Sequence, residues 1–471
     1  MRGVMQIITG VVECQRHAFL REGPPPLDQR IAHLKALEGQ VTKYRDRMAE
    51  VLSEDFGNRS RHETLLAETL ATVMSLRHSR KHLASWMRPR KRPLNRLQHP
   101  FARAEIHYQP LGVVGIMAPW NYPFQLALVP LGQALAAGNR VVLKPSEFTP
   151  GASALLATML SEIFDDERVA VIQGGPDVAA AFSRQRFDHL MFTGSTATGR
   201  RVMMAAAENL VPVTLELGGK SPVIVGDDYD LDRAAGSIAL GKMLNAGQTC
   251  IAPDYIFVPA GKVDLFGRAL SSQIVRMYPT LADNPDYTSI VADRHFDRLE
   301  GLIEDARDKG ARIETINPGA ENVGNQRKIA PTLIFDPTDD MKVMQEEIFG
   351  PVLPVKTYAA LDEAIDYINA HDRPLALYHF SNDPGAQRRV IERTTAGGMT
   401  VNDTLLHVAV DDLPFGGVGP SGMGAYHGEA GFHTFSHAKS VLRQSKVNLG
   451  GALRPPFGAR LEKIAAMLIG R

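Results

Sequence analysis

Apolar residues recur along the chain with two different spacings, and the spacing changes near residue 110. Between about residues 27 and 87, apolar positions such as Leu34, Leu37 and Val41 lie three or four residues apart among many charges, which predicts amphipathic helices. The segment 87–93 interrupts this pattern with two prolines and four basic residues. Because proline ends helices, we expect a linker or a protruding arm there.

After residue 110, short apolar runs alternate with stretches of helical spacing. The first series occupies residues 111–117, 124–137, 140–143, 151–164, 169–172, 190–192 and 213–216. The alternation starts again after residue 220, at residues 222–225, 255–258, 299–306, 332–335 and 361–368. Strand, crossover helix and strand in this order predict a mainly parallel sheet with helices on its faces. The repeat of the series predicts two α/β domains and a binding cleft between them.

The two ends of the chain add less information. The apolar stretch 4–12 is interrupted by Gln6 and Thr9, so we expect part of the mature protein and not a signal peptide. Near the C-terminus, apolar residues between Leu461 and Leu468 are spaced as in a helix. We expect a short amphipathic helix that packs on the protein, and a membrane-binding helix is the alternative.

Charge and cysteine content narrow the function classes. The 471 residues include 52 basic and 52 acidic side chains, and this balance gives no general attraction to nucleic acid or membrane surfaces. The sequence contains no run of about 18 apolar residues that would span a bilayer. Its two cysteines, Cys14 and Cys250, do not make a disulfide framework, which favours a reducing compartment, and we expect a cytoplasmic protein.

Two segments carry residues suited to covalent catalysis by a thiol. Cys250 follows a small-residue loop, 247–249, which we expect to lead into a helix whose backbone N–H groups favour a thiolate and stabilise an oxyanion. Glu216 ends a predicted strand and precedes Gly218 and Gly219, and a desolvated carboxylate there can take a proton from water. The alternatives are a small buried side chain for the cysteine and a structural strand-end carboxylate for the glutamate.

Three further polar residues follow predicted strands of the first series. Asn121 follows residues 115–117, and its amide can donate a hydrogen bond to developing negative charge, with an Asx turn or a helix cap as the alternative. Lys144 and Glu147 end the run 140–143, where nucleotides meet open parallel sheets. The lysine could hold a ribose hydroxyl or a phosphate, and the glutamate could accept from ribose hydroxyls and repel a 2′-phosphate. A surface ion pair is the alternative.

Glycine-containing segments complete the candidate chemistry. The segment 192–199 follows a predicted strand and opens a helix whose N-terminus could receive a pyrophosphate, although the usual dinucleotide glycine fingerprint is absent. Glu347 and Phe349 could orient a ribose and pack beside a flat ring, or form a capped loop with a core aromatic. The glycine-rich stretch 414–424 predicts a shaped loop near a ligand or a subunit contact, with a flexible surface loop as the alternative.

Taken in order, seven segments of the sequence resemble the aldehyde dehydrogenase superfamily over residues from about 105 to 440. They are PWNYP, KPSE, FTGSTATG, LELGGK, GQTC, EEIFGP and PFGGVGPSGMG. The surroundings of Cys250, the segment 402–407 and the stretch 432–437 are most similar to the class 3 branch, and within it to the coniferyl aldehyde dehydrogenases.

This resemblance implies an α/β, aldehyde dehydrogenase-like fold, with two doubly wound α/β domains and a small β oligomerisation arm. The implied division is 1–87 and 108–217 for a Rossmann-like coenzyme domain, 218–418 for a catalytic domain, 88–107 and 430–445 for the arm, and 446–471 for a tail with a short helix. The likeness to class 3 enzymes also implies a homodimer.

The resemblance gives roles to the residues named above. Cys250 would be the nucleophile, Glu216 the general base, and Asn121 an oxyanion donor together with the Cys250 backbone N–H. The implied cofactor is NAD, with NADP as the alternative, and no metal is implied. The implied cofactor contacts are Lys144 and Glu147 at the adenosine ribose, Gly194, Ser195 and Gly199 at the pyrophosphate, Glu347 and Phe349 at the nicotinamide end, and Trp120 and Leu217 as further contacts.

The implied reaction is the oxidation of an aldehyde to a carboxylic acid through a cysteine thiohemiacetal and thioester. Coniferyl aldehyde or another aromatic aldehyde is the expected substrate, and a medium-chain aliphatic aldehyde is the alternative. A CoA-acylating aldehyde dehydrogenase or acyl reductase is one rival function, and Glu216 argues against it. A catalytically silent binding protein on the same scaffold is another, and the presence of both Cys250 and Glu216 argues against it.

Overall fold

Strands and helices alternate through most of the computed structural model, which describes residues 2–96, 99–446 and 454–470. The strands are β1 (Arg90–Arg92), β2 (Arg103–Pro110), β3 (Val113–Met117), β4 (Arg140–Lys144), β5 (Val169–Val171), β6 (His189–Thr193), β7 (Val213–Glu216), β8 (Pro222–Val225), β9 (Tyr255–Pro259), β10 (Arg312–Thr315), β11 (Thr332–Phe335), β12 (Val352–Tyr358), β13 (Ala376–Phe380), β14 (Gly398–Val401), β15 (Gly422–Met423) and β16 (Ser436–Arg443).

The helices surround the sheets that these strands form. They are α1 (Arg2–Glu22), α2 (Leu27–Phe56), α3 (Arg61–Glu63), α4 (Ala71–Trp86), α5 (Gln125–Ala137), α6 (Pro150–Ser161), α7 (Pro176–Ser183), α8 (Thr196–Ala207), α9 (Leu231–Met243), α10 (Val263–Met277), α11 (Asp293–Asp308), α12 (Lys342–Gln345), α13 (Leu361–Asn369), α14 (Pro384–Arg393), α15 (Gly428–Thr434) and α16 (Ala459–Ile469). A π-helix, Thr64–Leu70, separates α3 from α4.

The first sheet has the strand order β15-β7-β6-β3-β4-β5. The pairing of β15 with β7 is antiparallel and the other pairings are parallel. Successive residues of a strand point to opposite faces: Val113 and Met117 of β3 pack with side chains of α1, α7 and α8, while Val114 and Ile116 pack with α2, α4, α5 and α6. Because both faces are covered, these strands are continuous apolar runs in the sequence.

The second sheet has the strand order β10-β11-β12-β9-β8-β13-β14. The strand β10 is antiparallel to β11, and the remaining pairings are parallel. Ile224 and Leu377 face a cluster that includes side chains of α11 and α13, whereas Val223 and Val225 face α9 and α10. The predicted fold class, two doubly wound α/β units, is therefore confirmed.

A third, small sheet has the order β1-β2-β16 and is antiparallel throughout. The strand β2 pairs with all eight residues of β16, from Ser436 opposite Pro110 to Arg443 opposite Arg103. Most of its side chains are partly or fully exposed. The basic segment that ends the N-terminal helices thus contains a strand. The sheet overlaps both segments where the arm was expected, 88–107 and 430–445, although β2 continues to Pro110.

The N-terminal helix α1 was not predicted from the sequence. Ile8 and Val12 on one of its faces are buried against the first sheet, whereas Gln6 is exposed and Thr9 is only partly buried, so the broken apolar pattern is that of an amphipathic helix. The tail helix α16 lies where a short helix was expected, although residues 447–453 and 471 of the tail lie outside the described residues, as do residues 1 and 97–98. The domain boundaries themselves stay a prediction.

No helix within the described ranges is long and apolar enough to cross a membrane.

Candidate active site

A cleft lies between the first and second sheets. Its walls come from segments that follow β3, β6 and β7 of the first sheet and from segments that precede β9, β12 and β13 of the second. Its volume is about 300 Å³, which is enough for part of a small-molecule ligand. Nine of the residues predicted for the site line it: Trp120, Asn121, Gly194, Ser195, Glu216, Leu217, Cys250, Glu347 and Phe349.

Cys250 lies in a turn and not at the start of a helix, so that expectation was wrong. The helix α9 ends at Met243, and residues 244–247 form one 3-10 turn in which Asn245 and Ala246 have positive φ angles of 51° and 50°. Beyond Cys250 the chain leads directly into β9. Pro253 accounts for this, because it lacks an N–H and disfavours helical geometry in the residue before it.

The surroundings of Cys250 disfavour the thiolate when nothing else is bound. The pKa of the thiol is raised to about 12, mainly by burial and also by the charges of Glu347 and Glu216, although the backbone N–H groups of Cys250 and Ile251 act to lower it. The predicted help from backbone N–H groups is therefore present but outweighed. A positive charge brought into the cleft would shift this balance toward the thiolate, since an opposite charge nearby favours the ionised thiol.

Glu216 ends β7 in the middle of the site. Its backbone pairs with Thr193 of β6 on one side and with Gly422 of β15 on the other. The side chain is buried, and neither carboxylate oxygen accepts a hydrogen bond from any described residue. Desolvation raises the pKa of this carboxyl well above its usual value. A structural carboxylate would be paired, because buried polar groups nearly always have partners, so the geometry favours a chemical role.

The side-chain amide and the backbone oxygen of Asn121 both form hydrogen bonds at the boundary of the two sheets. Its Nδ2 donates to the backbone oxygen of Gln248 at 3.2 Å. Its backbone oxygen accepts from Arg59 at 2.7 Å and from Asn245 at 3.1 Å. The side chain therefore forms neither an Asx turn nor the cap of α5, and one hydrogen of its amide remains available to a ligand in the cleft.

Glu347 and Phe349 form the wall opposite Gly218. Burial raises the pKa of the Glu347 carboxyl to about 8, although the backbone N–H of Gly219 donates to it. Its Oε1 has no hydrogen-bond partner among the described residues. The Phe349 ring meets Trp120 edge to face, with ring centroids 5.4 Å apart, and its φ of 52° places it in the left-handed region.

Lys144, Glu147 and Gly199 do not line the cleft. Lys144 is buried at the end of β4, and its ammonium lies 2.9 Å from the carboxylate of Glu147. A Cβ atom on Gly199 would lie 2.5 Å from Cδ2 of Leu217, so this glycine permits close contact of α8 with the segment after β7. The ion pair that was the structural alternative for Lys144 and Glu147 is thus present.

Several lining residues were not found from the sequence. Arg298 of α11 donates to the backbone oxygens of Glu347 and Ile348, and His295 of the same helix packs on Trp120 at 5.1 Å. No motif marks these positions, because they are ordinary members of an amphipathic helix. Phe415 and Tyr426 could have been found, since Phe415 lies in the predicted glycine-rich stretch and Tyr426 lies two residues beyond it, and this stretch pairs through β15 with β7.

The cleft has features that fit a dinucleotide. Glu347 Oε1 is a buried acceptor with no partner among the described residues, and a ribose hydroxyl could satisfy it. A Cβ on Gly218 would overlap the Glu347 carboxylate, and a Cβ on Gly194 would lie 2.6 Å from the Phe192 ring, so both positions leave room only for backbone. Ser195 caps α8 and accepts from Thr198 N–H, and the N-terminus of this twelve-residue helix favours an anion.

Comparison with known proteins identifies the family. The model of the aldehyde dehydrogenase family matches residues 11–441. A Caulobacter vibrioides protein named "Probable coniferyl aldehyde dehydrogenase" is 51% identical, over 98% of this chain and 96% of that protein. "Coniferyl aldehyde dehydrogenase" of Pseudomonas sp. strain HR199 is 49% identical, over 96% and 94%. "Aldehyde dehydrogenase, dimeric NADP-preferring" of Rattus norvegicus is 40% identical, over 98% and 100%.

Solved structures give the same result. The substrate-bound state of Staphylococcus aureus AldH superimposes with a TM-score of 0.92 at 39% identity, over 98% of this chain and 99% of that one. The Mycobacterium tuberculosis aldehyde dehydrogenase complexed with NAD+ superimposes with a TM-score of 0.83 at 28% identity, over 93% and 90%. The chain belongs to the aldehyde dehydrogenase family. It is an NAD(P)-dependent oxidoreductase that acts on aldehydes.

Proposed function

We propose that Cys250 is the nucleophile of this enzyme, Glu216 the general base and Asn121 an oxyanion donor. One observation carries the proposal: the buried carboxylate of Glu216 has no hydrogen-bond partner among the described residues, yet it lies near enough to Cys250 for its charge to act on the thiol. A base that activates water needs free acceptor positions. A nucleophile that forms a thioester needs such a base in the same cleft.

The reaction begins when Cys250, having lost its thiol proton to water, forms a bond from its thiolate sulfur to the aldehyde carbon. The resulting oxyanion accepts hydrogen bonds from Asn121 Nδ2 and from the Cys250 backbone N–H. When bound, oxidised NAD(P) supplies a cationic ring that favours the thiolate and accepts the hydride lost by the adduct carbon. Glu216 then takes a proton from water, the water oxygen attacks the thioester, and the C–S bond breaks to release the carboxylic acid and the Cys250 thiolate.

The residues proposed to hold NAD(P) divide into two groups. Glu347, Phe349, Trp120 and Leu217 line the cleft beside Cys250 and would position the nicotinamide end. The others would hold the adenosine ribose and the pyrophosphate: Lys144 ends β4, Glu147 follows it, and Gly194, Ser195 and Gly199 follow β6. The negative charge of Glu147 favours NAD over NADP, because a 2′-phosphate beside it would be repelled. Equal values of kcat/KM for NAD and NADP would contradict this preference.

The proposed substrate is coniferyl aldehyde or another aromatic aldehyde. Two relatives of nearly full length carry the name of coniferyl aldehyde dehydrogenase. The cleft also offers aromatic walls: the Phe415 and Tyr426 rings pack edge to face at 5.8 Å, and both line it. Aromatic side chains favour flat ligands through edge-to-face and stacked contacts.

A cofactor-coupled assay tests both the chemistry and the substrate. Coniferaldehyde, benzaldehyde and hexanal are offered with NAD, and with NADP in parallel, while NADH or NADPH and the acid product are measured. We expect free acid and at least about tenfold higher kcat/KM for coniferaldehyde than for hexanal. Cys250→Ala should lose more than about 10⁴-fold in kcat while folding and NAD binding persist.

Each contrary result has a distinct meaning. A preference for hexanal would move the proposal to aliphatic aldehydes. Formation of acyl-CoA from added CoA, in place of free acid, would indicate the acylating reaction, which Glu216 argues against. Failure to reduce NAD or NADP with every aldehyde would favour a silent binding protein. Full turnover by the Cys250→Ala variant would refute the nucleophile assignment.

A homodimer is the proposed assembly. One relative is named as dimeric, and β16 is an eight-residue edge strand of the small sheet whose outer side has no partner among the described residues. Natural proteins cover such edges. Sedimentation should give twice the chain mass of 51.5 kDa, and a monomer at micromolar concentration would contradict the proposal.

The proposed location is the cytoplasm. Cys14 and Cys250 are both free thiols, which is consistent with a reducing compartment.

A further inference from the structure

A buried charged cluster lies behind the Asn121 loop, residues 119–123, and the proposed reaction does not use it. The side chains of Arg59 and Glu68 are both 0% exposed, and their nearest charged atoms are 3.4 Å apart. Arg59 also lies over the rings of Phe56 and Tyr122, at 4.8 and 5.0 Å. Burying two charges costs free energy that their mutual attraction need not repay. A buried pair of this kind therefore suggests a role that neutral side chains could not fill.

Glu68 reaches the loop from a π-helix. The π-helix spans Thr64–Leu70, and its inward face buries Glu68. One carboxylate oxygen accepts hydrogen bonds from the backbone N–H groups of Phe124 and Gln125, at 3.1 and 2.7 Å. Glu68 thereby caps the first turn of α5, which no side chain of the loop caps, and fixes where that helix begins. A single π-helical turn of this kind is common at functional sites.

Arg59 connects this cap to the candidate oxyanion donor. Its Nη1 donates to the backbone oxygen of Asn121 at 2.7 Å. The same oxygen accepts from the side chain of Asn245 at 3.1 Å, and Asn245 belongs to the turn that leads to Cys250. Both loops of the cleft therefore meet at one carbonyl oxygen, and Arg59 is the charged donor to it.

Glu63 holds the other side of the same junction. Its carboxylate accepts from the Thr288 hydroxyl at 2.8 Å and from the backbone N–H of Asn245. Asn245 has a positive φ of 51° and Ala246 one of 50°; this conformation is uncommon outside glycine and asparagine, and it costs free energy for an alanine. One short stretch, residues 59–68, thus contacts the Asn121 loop and the Cys250 turn together.

We propose that Arg59, braced by Glu68, is a positioning residue that holds Asn121 at the place where the oxyanion forms. The inference rests on the proposed oxyanion role of Asn121. The planar guanidinium reaches the Asn121 carbonyl and the Glu68 carboxylate at once, and a lysine ammonium has no such fork. Arg59→Lys therefore keeps the charge but loses the bridge. A displacement of a catalytic group by about 1 Å is enough to cost about 10²-fold in rate.

A double-mutant cycle separates this role from a purely structural one. The variants are Arg59→Lys, Asn121→Ala and the combination, measured with NAD and benzaldehyde for kcat, for the rate of the NADH burst and for KM of NAD. Asn121→Ala alone should lower kcat by about 10²-fold. Arg59→Lys should lower kcat by about tenfold in the presence of Asn121, but by less than about twofold once the Asn121 side chain is gone. KM for NAD should not change.

Thermal unfolding measures the loss of stability that a purely structural role of Arg59 would also cause. Arg59 bonds to the backbone of Asn121, which Asn121→Ala retains, so Arg59→Lys should lower Tm equally in both backgrounds while its effect on kcat disappears in one. Arg140→Lys is the matched control. Arg140 is also buried and donates to a backbone oxygen and a carboxylate, those of Glu167 and Glu22, and its variant should lose Tm without losing kcat.

The outcomes distinguish this inference from the proposal beneath it. If Asn121→Ala keeps full activity, the oxyanion role itself is wrong, and both fail. If Asn121→Ala loses activity but Arg59→Lys is silent, or equally harmful in both backgrounds, only the positioning role is overturned. Should Arg59→Lys fail to fold, Glu68→Gln replaces it in the same cycle, because it removes the anion that braces Arg59, and it is judged by the same two results.

Discussion

Two buried carboxylates, Glu216 in the cleft and Glu68 behind it, have the same chemistry and opposite surroundings. Glu68 accepts from two backbone N–H groups and lies beside Arg59. Glu216 is equally buried, and no described residue donates to it. Burial raises the pKa of both carboxyls, to about 7 for Glu68, where Arg59 and the N–H groups counteract it, and well above the usual value for Glu216, where nothing does.

The difference indicates that the fold depends on the charge of Glu68, whereas the reaction depends directly on that of Glu216. An unsatisfied buried polar group costs about 1–3 kcal/mol, and more when it is charged. Such a cost persists in a protein when the group is needed for something other than stability. The comparison predicts that removing the charge of Glu216 harms catalysis and helps folding, whereas removing the charge of Glu68 harms folding.

The largest expected effect is on turnover by Glu216→Gln. The amide cannot take a proton from water, so we expect kcat to fall by about 10²–10⁴-fold. The first turnover needs only thioester formation, so a rapid burst of NADH should remain. Stopped-flow measurement of NADH absorbance separates the two phases. Equal loss of the burst and the steady state would remove the distinction between a reactive carboxylate and a structural one.

The next effect is on stability, through Glu68→Gln. Glutamine offers one acceptor oxygen to the two N–H groups and turns a second donor toward Arg59, which is left as an unpaired buried charge. We expect the free energy of unfolding in denaturant to fall by about 3 kcal/mol. A variant as stable as the unaltered protein would show that the hydrogen-bond partners and the ion pair of Glu68 do not stabilise the fold. The contrast with Glu216 would then be wrong.

Glu216→Gln should change stability in the opposite direction, and the size of the change should depend on pH. The folded pKa of Glu216 is raised above its ordinary value of 4.5, so the unfolded chain loses this proton first as pH rises. Above pH 4.5 the unaltered protein therefore loses about 1.4 kcal/mol per pH unit relative to Glu216→Gln, until the folded pKa is passed. Below that pH the gap should vanish. Urea unfolding of both proteins at several pH values measures this difference in the free energy of unfolding. A difference that shrinks with rising pH would contradict the prediction.

The two carboxylates also show what the sequence could and could not predict. The end of β7 at Glu216 was predicted to the residue, because Gly218 and Gly219 follow it and allow the chain to turn away from the strand. The order of the motifs then indicated a single protein family, in which Glu216 and Cys250 belong to the same site. The absence of partners around Glu216 is a property of three dimensions, and no pattern along the chain encodes it.

Glu68 and Arg59 were not found at all, for physical reasons. Both lie in a region predicted only as charged amphipathic helix, where a buried charge and a solvated one look alike in the sequence. The π-helical turn that points Glu68 inward differs from an α-helix in hydrogen bonding and not in composition. The same limit applies to His295 and Arg298, which reach the cleft from α11, and to the turn at Cys250, which was expected to open a helix.

The last prediction concerns Glu347, which lies between the two extremes because Gly219 N–H donates to its carboxylate while Oε1 stays unpaired. A Cβ on Gly218 would overlap this carboxylate, so Gly218→Ala should push it aside. We expect KM for NAD to rise about tenfold, as for the loss of one hydrogen bond to a charged group, with little change in kcat.

Gly301→Ala is the matched control for that substitution. Gly301 lies inside α11, and a Cβ there would meet nothing within 4 Å. Alanine should therefore raise the free energy of unfolding by about 0.5–1 kcal/mol, through helix propensity alone, and leave KM for NAD unchanged. If Gly218→Ala also left KM unchanged, Glu347 would not be holding the ribose, and its unpaired oxygen would need another explanation than the cofactor.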